Sequence, residues 1–168
     1  MGLGQLVGAV AALRARIPSA LVLIAGTGPL ESELQMQIQR AGLEDHCRLV
    51  GFVSEDDLPA AYRAADLTVV PSVALEGYGL IVPESLAAGT PALVTPVGGL
   101  PETVARFAPQ LVLASTSAAD IARGLGDAIA GTLPLPDADA CRAFARQQND
   151  WSVVVAQVRH VYEGVRQL

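Results

Sequence analysis

Lysine is missing from this chain; all eleven basic residues are arginine, so no lysine-based chemistry resides in it. With the abundance of alanine, that absence points to a GC-rich coding sequence rather than to a mechanism. Cysteine is scarce. Cys47 and Cys141 are not at metal-ligand spacing and read as small buried residues in a reducing compartment. An excess of positive charge is lacking too: the net charge of −6 argues against a nucleic-acid-binding surface. About half of the residues are hydrophobic and the mean hydropathy is +0.40. Yet no run of about 18 apolar residues occurs, so no membrane span is expected. Met1 is followed by neither a basic region nor an apolar core, so no secretory signal is expected. There is no P-loop, no zinc spacing and no nucleophile elbow. His46 and His160 are isolated and read as surface or helix-end residues.

What is present is a set of short apolar runs punctuated by Gly and Pro, as in buried parallel strands covered by helices. At 168 residues the chain reads as one domain with no linker and no repeat. Gly2–Arg16 carries apolar residues at helical spacing, and Ala20–Ala25 reads as a strand closed by Gly26-Thr27-Gly28-Pro29. A dinucleotide fingerprint would need a third glycine at position 31, where Glu31 stands. Leu30–Ala41 reads as a helix stopped by Gly42, and Arg48–Val50 as a strand ending at Gly51. Ser54 with Asp57 resembles a capping box opening a helix to about Ala65. Then come a strand at Leu67–Val70, a strand at Ala92–Thr95, a short helix at Leu100–Arg106 and a strand at Gln110–Leu113. Ser117 or Thr116 caps a helix to about Ala130, and Asp137–Gln148 and Trp151–Leu168 read as two terminal helices. Strands alternating with helices at this spacing predict an α/β fold with a doubly wound parallel sheet. Ligands of such sheets bind beyond the carboxyl ends of the strands. The turns at Gly26–Pro29, Gly51–Val53, Pro71–Gly79 and Pro96–Gly99 all follow strands and should share that rim.

The stretch from Pro71 to Glu102 organises the rest. Glu76 and Glu84 bracket seven residues, Gly77 to Pro83. Gly77 and Gly79 permit backbone angles and close approaches closed to other residues. A helix should start between Gly79 and Pro83 and stop at Gly89. Amides of such a loop and helix start suit an anion such as a phosphate. The two carboxylates would instead accept hydrogen bonds from hydroxyls, as on a sugar or ribose. The bland reading is that Glu84 complements the helix dipole and Glu76 is a solvated loop charge.

Glu76-Gly77-Tyr78-Gly79-Leu80 with Glu84 resembles the E-x7-E signature of retaining GT-B glycosyltransferases, group 1 or family 4. Pro71-Ser72 before it, Ala87-Ala88-Gly89-Thr90-Pro91 after it and Gly98-Gly99-Leu100-Pro101-Glu102 beyond fit the same pattern. Ala25-Gly26-Thr27-Gly28-Pro29-Leu30, Arg48 to Val53, and Asn149-Asp150-Trp151 with the last helix extend the likeness over almost the whole chain. The resemblance implies the Rossmann-like, donor-binding half of a GT-B fold, with two C-terminal helices. It implies that Glu84 binds the ribose of a nucleotide-diphospho sugar and that Glu76 binds the transferred sugar near its reacting carbon. Amides of Tyr78, Gly79 and Leu80 would face sugar and phosphate oxygens, beside the Gly77 turn. Phe52 and Val53 would line the base, Gly26 and Gly28 would form the family's G-x-G-P turn, and the Tyr78 ring would be a packing element. Trp151 reads equally as part of the segment that crosses back toward a partner domain and as a core anchor at a helix start. Transfer would retain the anomeric configuration and need no metal and no cofactor beyond the nucleotide sugar. A cytoplasmic location is implied, with attachment to the inner face of a membrane open for a full-length protein.

A complete member carries an acceptor-binding domain ahead of this one, and a first strand with the arginine and lysine that clamp the diphosphate. Neither is in these residues, and Met1 stands about where that lysine would be. The expectation is weak donor binding and no turnover by this chain alone. Without a central first strand, Leu21–Ala25 and Leu67–Val70 should flank a gap, closed by rearrangement or by a second copy in a homodimer. A non-catalytic nucleotide- or phosphosugar-binding module, and an interaction domain with relic glycine loops, are the competing readings.

Overall fold

The computed structural model of the chain describes residues 2–165. Four short strands form two parallel pairs: β1 (Val22–Ala25) with β2 (Cys47–Gly51), and β3 (Thr68–Val70) with β4 (Ala92–Val94). A helix crosses over within each pair, α2 (Glu31–Ala41) in the first and α4 (Ile81–Ala88) in the second. This is the connection that parallel strands require. α3 (Leu58–Ala64) leads from β2 to β3, and α1 (Leu3–Leu13) precedes β1.

α1 is shared by the two halves. Its Leu6, Ala9 and Leu13 enter the core built on β3 and β4, while Val7 and Val10 enter the core under β1 and β2. Two stripes at i, i+3 spacing on adjacent faces let one helix bridge both. Small residues bring α6 (Ala118–Ile129) close to it: a methyl on Gly8 would touch Ala118, and one on Gly126 would touch Leu13. Gln37 donates to the Gly4 carbonyl at 3.0 Å, and Arg14 donates to the Ala41 carbonyl at 2.5 Å, tying α1 to α2 at both ends.

The expected gap is present. Among the described residues no ladder joins β1 to β3. Val22 and Gly26 donate to β2, at His46 (2.8 Å) and Gly51 (2.7 Å), so the amides of Leu23 and Ala25 turn the other way. Thr68 donates to Pro91 at 2.9 Å, which turns the Val69 amide away from β4. The two strands have not closed up on each other. Leu21 and Leu23 remain 46% and 58% exposed beside the slot.

Helix ends follow sequence chemistry. Gly42 and Gly89 end α2 and α4 at φ 59° and 99°, and Ser117 caps α6 by accepting from the Asp120 amide at 3.1 Å. Asp137 caps α7 (Ala138–Asn149) in the same way. Ser54 and Asp57 do bond each other, but around a turn; α3 starts only at Leu58. α5 (Leu100–Val104) is shorter than expected. The strand expected at Gln110–Leu113 does not form. Pro109 fixes its own φ and opens a 3-10 turn over Pro109–Leu111, leaving Val112 a single parallel bridge to Val94.

α7 lies on α4, with Phe144 stacked on Phe107 at 4.6 Å between ring centres. α8 (Trp151–Val165) buries none of its residues, and residues 166–168 of the expected last helix lie outside the described part. Trp151 is 80% exposed, which excludes its reading as a core anchor. No helix among the described residues is long and apolar enough to cross a membrane.

Candidate functional site

Beyond β3 the chain is pinned by buried hydroxyls. Thr95, just past β4, donates to the Ser72 carbonyl at 2.6 Å. Ser72 itself is 1% exposed and donates its hydroxyl to Glu76 Oε2 at 2.8 Å. Glu76 is therefore a half-buried, oriented carboxylate rather than a solvated loop charge. Leu75 ahead of it is wholly exposed and holds φ at 57°. A leucine in the left-handed region is strained, and such strain gathers at functional segments.

The loop after Glu76 is folded against the loop after β4. The Gly99 amide donates to the Gly77 carbonyl at 2.9 Å. A methyl on Gly98 would collide with the Glu76 carbonyl, and one on Gly99 with the Gly77 carbonyl. Here the glycines are demanded by backbone meeting backbone. Among the described residues, the amides of Tyr78, Gly79 and Leu80 have no protein acceptor. These three residues lie between the two acids in sequence.

α4 starts at Ile81 and presents Glu84 in its first turn, where the helix dipole favours negative charge. Glu84 is exposed, yet held: Tyr62 on α3 donates its hydroxyl to Glu84 Oε2 at 3.0 Å. Burial, then the Glu84 carboxylate, push the Tyr62 phenol above its ordinary range, so its proton stays in that bond. Ion pairs among the described residues join Arg123 to Asp120 and Arg142 to Asp139; neither Glu76 nor Glu84 is in one. Both carboxylates are held by neutral hydroxyls.

Tyr78 is half-exposed, not a packing element. Its hydroxyl accepts from Asn149 Nδ2 at 2.7 Å. Gly26, Gly28, Phe52 and Val53 form a second group at the ends of β1 and β2, where Gly26 donates to Gly51. Gly26 and Gly28 are exposed, Val53 is half-buried and Phe52 is 77% exposed. No hydrogen bond among the described residues joins this group to the one around Glu76 and Glu84. Among them also, no group of three or more His, Cys, Asp or Glu could hold a metal ion.

Two residues at this site escaped the sequence reading. Ser72 was visible only as part of a flanking motif, and Tyr62 sits among alanines on a short helix with no local signal. Tyr62 could be found only by knowing that α3 packs on α4.

Residues 1–148 match the family model described as glycosyl transferases group 1. The chain is 33% identical, over 94% of its length, to the GDP-mannose-dependent alpha-(1-6)-phosphatidylinositol monomannoside mannosyltransferase of Mycobacterium tuberculosis. It is 38% identical over 60% of its length to the 2-deoxystreptamine glucosyltransferase of Streptomyces kanamyceticus. It spans 40% and 26% of those two proteins. Among solved structures, that of Anabaena HepE in complex with UDP-glucose superposes on 98% of the chain and 45% of its own, with TM-score 0.78 and 26% identity. A glycosyltransferase of Rickettsia africae shares the fold at TM-score 0.83 and 19% identity. The architecture is thus the Rossmann-like half of a GT-B fold, and the chain belongs to the group 1 glycosyltransferases.

Proposed function

We propose that this chain is the nucleotide-sugar-binding half of a retaining glycosyltransferase of family 4. One observation carries the reading: two carboxylates, each oriented by a neutral hydroxyl, flank a glycine loop with three unpartnered amides. Glu84 accepts from the ribose hydroxyls and Glu76 from hydroxyls of the transferred sugar, making Glu76 the catalytic candidate. Tyr78, Gly79 and Leu80 offer their amides to sugar and phosphate oxygens. Phe52 and Val53 line the base next to the Gly26–Gly28 turn. The chain's relatives include a GDP-mannose-dependent enzyme and a protein solved with UDP-glucose, which supports a nucleotide-diphospho sugar as ligand. With no metal required, catalysis rests on positioning and on stabilising the departing diphosphate.

One more parallel strand between β1 and β3 would take the Leu23 and Val69 amides, which bond to neither paired strand. α1 begins beside Pro71, past the carboxyl end of β3, and its far end leads to β1, as a crossover helix would. In the whole protein we place a strand ahead of α1 in that slot, together with the basic groups that face the diphosphate and a separate acceptor-binding domain. Alone, this chain then binds donor weakly and turns none over.

The test is Glu76→Gln in the whole protein. Transfer is lost while the thermal midpoint stays unchanged; undiminished transfer would remove Glu76 from the mechanism.

A further inference from the structure

We infer that Tyr62 is the positioning residue of the ribose contact, holding one oxygen of Glu84 so that the other is aimed at ribose hydroxyls. This rests on the reading of Glu84 as a nucleotide ligand. Tyr62 donates to Oε2, and Oε1 has no protein donor among the described residues. A glutamate on an exposed helix start samples several rotamers, and that freedom is lost on binding. A single hydroxyl donor removes it beforehand. An arginine in that place would have engaged both oxygens as a fork and left none for the ligand.

Tyr62 is itself fixed by its own backbone. Its carbonyl accepts from Thr90 Oγ1 at 2.6 Å. Thr90 is 3% exposed, and its carbonyl accepts from Ser85 Oγ at 2.8 Å; Ser85 also bonds Thr68 on β3 at 2.7 Å. A chain of hydroxyls therefore runs from β3 through α4 to the residue that orients Glu84. Each link is short, and Ser85 and Thr90 are buried, so Tyr62 has little room to drift. Polar side chains inside this layer thus set where a surface carboxylate points.

The experiment titrates the 168-residue chain with UDP and GDP and with their 2′,3′-dideoxy counterparts, following amide shifts by NMR. Wild type prefers the ribose form of its nucleotide by about tenfold, the range for hydrogen bonds to a charged acceptor. Tyr62→Phe, which removes one oxygen, erases most of that preference and leaves affinity for the dideoxy form unchanged. A merely structural tyrosine would lower both affinities alike. Glu84→Asp serves as the second variant if Tyr62→Phe fails to fold. One methylene shorter, its carboxylate cannot span Tyr62 and the ribose, and the preference falls in the same way. A ribose preference intact in Tyr62→Phe, or in Glu84→Asp where that variant stands in, overturns the role of Tyr62 and spares the nucleotide reading. No preference in wild type, or no binding at all, overturns both.

Discussion

Asn149 donates its side-chain amide to the hydroxyl of Tyr78 at 2.7 Å, joining the end of α7 to the glycine loop across 71 positions of sequence. The loop is thereby tethered to the helix layer behind it. Asn149→Ala should lower stability by only about 1 kcal/mol, the scale of one part-exposed hydrogen bond. Its larger effect is local: the Gly99 amide, which bonds the Gly77 carbonyl at 2.9 Å, exchanges faster in hydrogen-exchange measurements while the amides inside α4 do not. Unchanged exchange at Gly99 would mean the tether is incidental.

Gly98 and Gly28 make a matched pair for testing the loop contact. Gly98 holds φ at 54° against the Glu76 carbonyl, whereas Gly28 has open space around it. Gly98→Ala should destabilise by about 2 kcal/mol or more, from left-handed strain plus backbone displacement. Gly28→Ala should be near neutral. Urea midpoints report both, and equal midpoints would contradict the packing of the two loops.

The slot predicts an alternation in hydrogen exchange. In β1 the amide of Leu23 faces the slot while Val22 bonds to β2, and in β3 Val69 faces it while Thr68 bonds toward β4. Leu23 and Val69 should exchange orders of magnitude faster than their neighbours. Protection at both, with a dimer in sedimentation, would show a second copy filling the slot.

Two buried thiols weaken the fold as the pH rises above 9.0. Burial, then Asp137, push the Cys141 thiol up to about 11, and burial raises Cys47 as well. The native state holds these protons more tightly than the unfolded chain, whose thiols titrate near 9.0. Their contribution is full below that value and is lost as pH rises toward 11. Unfolding midpoints should therefore fall between pH 9 and 11, and Cys141→Ala should flatten that fall. A midpoint independent of pH over this window would contradict the assignment.

Much of the fold was legible because its signals are local. Gly42, Gly89 and Ser117 end or start helices by chemistry carried within a few residues. The acids were legible through spacing and flanks. What was not legible depends on packing that residue spacing does not report. The donors to Glu76 and Glu84 reach them from outside the helix that follows, and the Tyr78 hydroxyl meets a residue from another helix. Val112 fits a strand by composition, but the proline before it decided the backbone. Trp151 carried two readings, and only its exposure separated them.

The central claim is that the notch between Glu76 and Glu84 receives a nucleotide sugar. The most direct measurement is a 15N amide titration of the chain with UDP-glucose and with GDP-mannose. The account predicts that one of them, at millimolar concentration, shifts Tyr78, Gly79 and Leu80 together with the first turn of α4, and that Glu84→Gln removes the response. Shifts confined to other surfaces, or none from either ligand, would contradict it.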